Sequence, residues 1–260
     1  MARWIFVVVV VSGIFGSLQA QTDYCTTSYC KAPRVNVGCN PPPLTGGPSC
    51  TGKTPNAIEM TGALKTLILN EHNTRRSQLA TGNLAPFAAA KRMPTLSWDT
   101  ELAKQAGHNA RSCNVAHDQC RNTVTYSYAG QNLAMMAFSG MTMTYEQVIK
   151  NRIASWWNEK NDTLQAQLDK YPNGYTGPAI GHFTQMASDQ TNKIGCALQY
   201  WKVNSMETYY LVCDYSVTNI IDRAVYKRGT VGSACNTGIN PLFAGLCNES
   251  EIINPVPNAA

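Results

Sequence analysis

Ten cysteines, all lying beyond residue 20, limit what this chain can fold into more than any other feature. They follow MARWIFVVVVVSGIFGSLQA, in which Arg3 precedes an apolar run from Trp4 to about Leu18 and small residues lead to Ala20. That order reads as a secretory leader cut after Ala20, although Leu18 at the third position before the cut is not ideal. The run is shorter than the ~20 residues of a membrane-spanning helix. No later segment is apolar enough to span, so the chain is expected to be secreted and not membrane-spanning. An even cysteine count in an exported chain predicts disulfides. A zinc site is disfavoured because no CxxC pair exists: Cys25 and Cys30 have four residues between them, Cys113 and Cys120 six.

Two sequons, Asn161-Asp162-Thr163 and Asn248-Glu249-Ser250, suit a glycoprotein of the same compartment. The formal net charge is +5. It is scattered in doublets, Arg75-Arg76, Lys91-Arg92 and Lys227-Arg228, which read as solvated surface. No basic run is long enough to predict a nucleic-acid or glycosaminoglycan partner.

Residues 21–55 are rich in Cys, Pro and Gly and predict an N-terminal arm tied down by its four cysteines. A first helix is expected from a capping box at Asn56 and Glu59. Met60, Leu64, Leu67 and Ile68 share its buried face, His72 lies late on it, and Gly82 stops it. A second helix fits Asp99 to about Cys113, capped by Asp99, with Leu102, Ala106, Ala110 and Cys113 inward. A third fits Thr144 to about Lys160, with Tyr145, Val148 or Ile149, Ile153 and Trp156 inward. KIGCALQYW places Ile194, Cys196, Leu198 and Tyr200 on one face, and TYYLVCDYS does the same for Tyr209, Leu211, Cys213 and Tyr215. These predict an antiparallel pair joined through Val203 to Met206, with Cys196 and Cys213 close enough to bridge. Helices and strands mix without a βαβ rhythm, so the expected class is an α+β sandwich. Residues 226–260 form a loop-rich tail in which Cys235 and Cys247 suggest one local staple. No internal repeat is visible.

Spacing alone gives little chemistry. HExxH, GxSxG, a phosphate-cradling glycine loop and a dinucleotide fingerprint are all missing from the sequence. His117 and His182 are 65 residues apart, too far to read as a metal pair by spacing. Glu159 follows Trp156 by three residues; it needs a partner if buried, or else is a helix-end glutamate.

Several segments in order carry a resemblance: EHNTRR, LSWDTELAKQAGHNARSC, CNVAHDQCR, GQNLAM, ASWWNEKND, GHFTQMAS and YLVCDYSVTNII. Together they resemble the CAP superfamily of cysteine-rich secretory proteins, antigen five and pathogenesis-related proteins. YCTTSYC followed by VGCN is similar to the insect, allergen-like antigen-five branch. The likeness spans about Tyr24 to Ile221, and it implies a three-layer α-β-α sandwich with a CAP domain over 56–225. It also implies the pairings Cys25–Cys39, Cys30–Cys120, Cys50–Cys113 and Cys196–Cys213, leaving Cys235–Cys247 for the tail.

The resemblance further implies a cleft lined by His117, His182 and Glu159, a ligand set for a divalent metal, Zn or Cu. Gln131 stands where the family usually has the Glu of a GEN motif, which removes one negative charge. Gly181 is expected to allow close backbone approach, Phe183 to pack behind His182, and Cys113 and Cys120 to mount His117 rigidly. His72 and His108 match no cleft position, and His72 is expected to pack or hydrogen-bond structurally. The function implied is a monomeric, non-enzymatic extracellular binding protein. Its partner is a lipid or small hydrophobic ligand in a channel between helices, or a cell-surface receptor or channel. Tyr171 and Tyr175 offer a ligand loop, against the plainer reading of the segment as simply an exposed loop. The alternatives are a metal-dependent hydrolytic or redox enzyme and a venom-like ligand acting through its surface and tail. A glycan on Asn161 would crowd the cleft mouth.

Overall fold

The structure is a computed structural model that describes residues 22–256. The expected leader and its cut after Ala20 lie outside the described residues. Two hairpin strands form the centre. β5 (Lys193–Val203) and β6 (Met206–Tyr215) are antiparallel and turn at Asn204-Ser205, where Asn204 takes a left-handed φ of 53°. Asparagine tolerates that conformation better than most residues. β4 (Gly130–Phe138) flanks β6, and β1 (Asn56–Ile58) flanks β5, giving the order β1-β5-β6-β4. β3 (Ser97–Trp98) lies parallel to the start of β5. β4 escapes an alternation reading because GQNLAMMAF begins with polar residues on both of its faces.

Period-2 alternation sorts the hairpin between two layers. Ile194, Cys196, Leu198, Leu211, Cys213 and Tyr215 face one core, shared by α1 (Gly62–Ala80), α3 (Tyr145–Asn158) and α5 (Gly181–Ala187). Trp201, Tyr210 and Val212 face the other, covered by Ala106 and Ala110 of α2 (Thr100–Ala110). The result is the expected α-β-α sandwich. Burying each Leu or Ile of this core contributes about 1.5–3 kcal/mol. Gly195 is obligatory in this packing, because a Cβ there would overlap the backbone of Ala103 and Asp99 at the start of α2.

The helix ends differ from expectation in ways with local causes. α1 starts at Thr61, whose hydroxyl accepts from the Leu64 N–H, and not at Asn56. Asn56–Ile58 is drawn away by pairing with Tyr200, Gln199 and Leu198 on β5. α2 is capped by Asp99, as its side chain accepts from Glu101 and Leu102, but it stops at Ala110. Cys113 sits at φ 53°, which a right-handed helix cannot hold. α3 opens with a reciprocal box between Thr144 and Gln147 and runs into a 3-10 turn at Glu159–Asp162. Its Val148, Ile149, Ile153 and Trp156 are buried, whereas Tyr145, expected inward, is 40% exposed and meets Tyr209 edge-on. α3 also protects the outer edge of β4: Trp156 Nε1–H donates to the Leu133 carbonyl and Arg152 donates to that of Met135.

The bonds Cys25–Cys39, Cys30–Cys120, Cys50–Cys113, Cys196–Cys213 and Cys235–Cys247 leave no free thiol among the described residues. Two of them bolt the arm to the loop between Cys113 and Cys120. The tail is more ordered than its composition suggests. β7 (Leu246–Cys247) pairs in parallel with β2 (Met93–Pro94), and both of its residues are buried. Buried Glu251 accepts from Asn236 N, Thr237 N and Oγ1, and Arg92 Nε at 2.6 Å.

One basic residue overturns the reading of its doublet as solvated surface. Arg75 pairs with Glu71 on the helix face, but Arg76 is wholly buried. Its guanidinium donates to the carbonyls of Met186, Ser188, Pro94 and Thr191, fastening α1 to the segment after α5. A planar five-donor fork suits several carbonyls at once, which an ammonium does not.

Candidate functional site

α5 supplies His182 from a helix only seven residues long, with no side-chain cap of its own. Glu159 is that cap, supplied from the end of α3. Its Oε2 accepts from the backbone N–H of His182 (2.8 Å) and Phe183 (3.1 Å), while Oε1 accepts from His182 Nδ1 at 2.6 Å. One carboxylate therefore starts the helix and orients the imidazole it carries. Trp156 stacks against the His182 ring at 6.0 Å, and Phe183 packs behind, fully buried against Trp157 and Phe87. Gly181 is not needed for close approach, because a Cβ there would meet only the Tyr171 hydroxyl at 3.7 Å. The tight glycine is Gly130, where a Cβ would overlap the Gln185 side chain and come within 2.9 Å of Thr218 Cα.

His117 comes from the loop between the bolted Cys113 and Cys120. Its Nδ1 lies 2.8 Å from Gln131 Oε1, so Nδ1–H donates and Nε2 is left as an acceptor. The Gln131 amide is held in this sense because its Nε2 donates to Asp118 Oδ2 at 2.8 Å and Asp214 Oδ1 at 2.9 Å while its Oε1 faces His117. Asp118 is also held by Arg121 Nε and Asn109. Asp214 is fully buried, its Oδ2 has no partner among the described residues, and burial together with nearby Asp118 pushes its carboxyl well above the usual range. A Glu at this position, as the resemblance implies, would set a third acid against Asp118 and Asp214 at hydrogen-bond distance. Burial lowers the His117 pKa, only partly offset by the Gln131 bond.

Asn132, the next residue of β4, points to the other face. It donates to the His182 carbonyl and to Tyr215 Oη. Tyr215 in turn donates to His72 Nε2 at 2.9 Å, and His72 Nδ1–H donates to the Ile68 carbonyl. His72 is entirely buried, and burial lowers its pKa to about 3, so it is a neutral strut. His108 is buried beside Arg111, and burial lowers its pKa to about 4.

His117 and His182 open on one cleft of about 500 Å³, lined also by Arg121, Gln131, Asn132 and Gln185. Glu159 does not line it. Tyr171 does, and is therefore a wall residue rather than the tip of a loop. Tyr171 N–H donates to the Arg223 carbonyl, its carbonyl accepts from Asp222, and burial raises its pKa. Tyr175 is 38% exposed and folds over Gly177. Asn161 is exposed and outside the cleft lining; Asn248 is half-buried. Sequence reasoning missed Asp118, Arg121, Asp214 and Asn132. The available signals were the acid beside His117 and the lone charge in the apolar strand YLVCDY.

The donor set fits a resident Zn or Cu poorly. Gln131 Oε1 is taken by His117, and both Glu159 oxygens are taken by α5 and His182. Two imidazole Nε2 atoms remain, whereas zinc sites take three or four protein ligands. Among the described residues, no group of three or more His, Cys, Asp or Glu is arranged to hold a metal ion.

The family model for CAP, the cysteine-rich secretory protein family, matches residues 69–215. Venom allergen-1 of Aedes aegypti is 42% identical over 96% of each chain. Venom allergen 5 of Dolichovespula arenaria is 35% identical over 70% of this chain and 89% of its own. The crystal structure of NaASP2 with Zn2+ superposes with a TM-score of 0.58 at 25% identity, over 72% of this chain and 96% of that one. That of Na-ASP-1 gives 0.61 at 25% identity, over 73% and 48%. The chain belongs to the CAP family and is antigen-5-like within it.

Proposed function

We propose that the protein is a secreted, monomeric, non-catalytic binding protein whose cleft accepts hydrogen-bond donors from a partner on His117 Nε2 and His182 Nε2. The observation carrying this is the commitment of both Nδ1 atoms, one to Gln131 and one to Glu159. A metal-dependent hydrolase or redox enzyme would need Glu159 as a base or ligand, and both its oxygens are already accepting. The cleft's polar side chains, Arg121, Gln131, Asn132 and Gln185, give a polar group partners there, beside the apolar surface of Tyr171, Ala179 and Ile221. A groove of about 410 Å³ at the N-terminal ends of α1 and α3 is lined by Ile58, Leu64 and Tyr145 but also by Asn56, Glu59, Thr61 and Glu146, so it offers a small hydrophobic ligand no more apolar a seat than the cleft does. The five disulfides and the antigen-5 relatives support secretion, with residues 1–20 removed, 21–55 as an arm, 56–225 as the CAP body and 226–260 as an extension. N-glycans on Asn161 and Asn248 belong to the same reading.

The test follows the histidine side-chain resonances while primary amines and polyols are titrated in, alongside calorimetry with Zn2+. Perturbation of both Nε2 signals by a donor-bearing probe, lost in His117→Ala and His182→Ala, supports the proposal. Submicromolar Zn2+ binding abolished by either variant would replace it with a metal site.

A further inference from the structure

Residues 172–179 join Tyr171 to α5 as a strap on the rim of the cleft, since Tyr171, Ala179 and Gly181 all line it. Both ends of the strap are fixed. Tyr171 is held by backbone hydrogen bonds to Arg223 (2.7 Å) and Asp222 (2.9 Å), and Ile180 is 3% exposed. Between these ends residues 173–179 are all exposed, and no residue of the strap makes a hydrogen bond among the described residues. The strap holds Asn173-Gly174, the only asparagine–glycine pair in the sequence. Gly174 stands at φ 61°, and a Cβ built there would meet nothing within 4 Å.

We propose that Asn173 is a self-modification site that deamidates spontaneously to isoaspartate and aspartate, placing a carboxylate on the cleft rim. The Gly174 backbone nitrogen, its proton taken by hydroxide, attacks Asn173 Cγ. The new C–N bond closes a succinimide ring, the bond from Cγ to the side-chain nitrogen breaks, and that nitrogen takes a proton from water and leaves as ammonia. Water then opens the ring at either carbonyl, giving the acid in its α-linked or β-linked form. Water is the only co-reactant, and the formal charge falls by one. Ring closure needs an N–H that is not already donating, no side chain on the following residue and a backbone free to rotate; the strap supplies all three. Asn204-Ser205 is the contrasting exposed pair, because the hairpin register Val203↔Met206 fixes it and Ser205 carries a Cβ. Two residues span at most about 7 Å, so the Cα of Asn173 stays within one Debye length, about 10 Å, of the Cα of Tyr171 in the cleft wall.

The experiment incubates the purified chain at mildly alkaline pH, either native or reduced and denatured. Peptide mapping locates isoaspartate, and ion exchange follows the loss of charge. A strap whose local opening free energy is near zero leaves Asn173 reacting in the native protein within about threefold of its rate in the unfolded chain. Protection by the whole fold would instead slow it at least about a thousandfold. The expected result is one more acidic species that carries isoaspartate at 173 and leaves Asn204 intact. Asn173→Gln abolishes that species without changing the melting temperature. An Asn173 that stays intact in the native protein while the unfolded chain converts, or another asparagine that converts first, would overturn the proposal.

Discussion

The two halves of the cleft solve one problem by opposite means. On the His182 side the partner is a carboxylate from another helix, and it doubles as the cap of α5. On the His117 side the partner is a neutral amide on a strand, fixed by two carboxylates behind it. Both leave Nδ1 donating and Nε2 facing the cleft. Orientation of an imidazole thus does not require a carboxylate beside it; it requires a partner that cannot rotate. The cost on the His117 side is a buried Asp214 with an unpartnered oxygen.

The largest effect comes from making the halves alike. Gln131→Glu sets a third carboxylate against Asp118 and Asp214 and should cost about 3 kcal/mol at neutral pH, by chemical denaturation. The new carboxyl has its folded pKa raised by like charge, so its cost vanishes as pH falls below the ordinary Glu range of about 4.3. Adding Asp214→Asn should recover most of the loss; a double-mutant cycle with no coupling would break the comparison. Next, Glu159→Ala leaves two backbone N–H groups of α5 and His182 Nδ1 without their acceptor and should cost about 2 kcal/mol. Glu159→Gln keeps one acceptor and should cost about 1 kcal/mol. Hydrogen exchange then localises the loss to α5; a loss spread over the whole domain would contradict the capping role. The smallest effect is the titration of His117. Burial lowers its pKa, so stability from this group is intact above about pH 6.5 and declines as pH falls below it. Its midpoint, followed by NMR, should lie below the ordinary histidine value in the wild type and rise in Gln131→Glu.

The sandwich was legible where one face is apolar and the other is not. The β5–β6 alternation and the stripes of α2 and α3 read true apart from Cys113 and Tyr145 at their ends, because each buries a single face against the sheet or the neighbouring helices. β4 did not read as a strand, because its first residues serve the site on both faces. α5 was too short for a 3.6-residue period to show, and its cap comes from a distant segment. His117, His182 and Glu159 were found through a resemblance, not through spacing. Their partners Asp118 and Asp214 lie too far apart in sequence for any local signal to join them to Gln131. Arg76 was misread because an Arg–Arg doublet on a helix gives no sign that one side chain turns inward to four carbonyls.

The central claim is that both cleft imidazoles donate from Nδ1 and present a bare Nε2. Long-range proton–nitrogen NMR of ¹⁵N-histidine-labelled protein, at alkaline pH where imidazoles are neutral, reads this directly. The account predicts the Nδ1–H tautomer for His117 and His182 alike, with an unprotonated Nε2 in each. An Nε2–H tautomer or fast exchange between tautomers at either residue would contradict it.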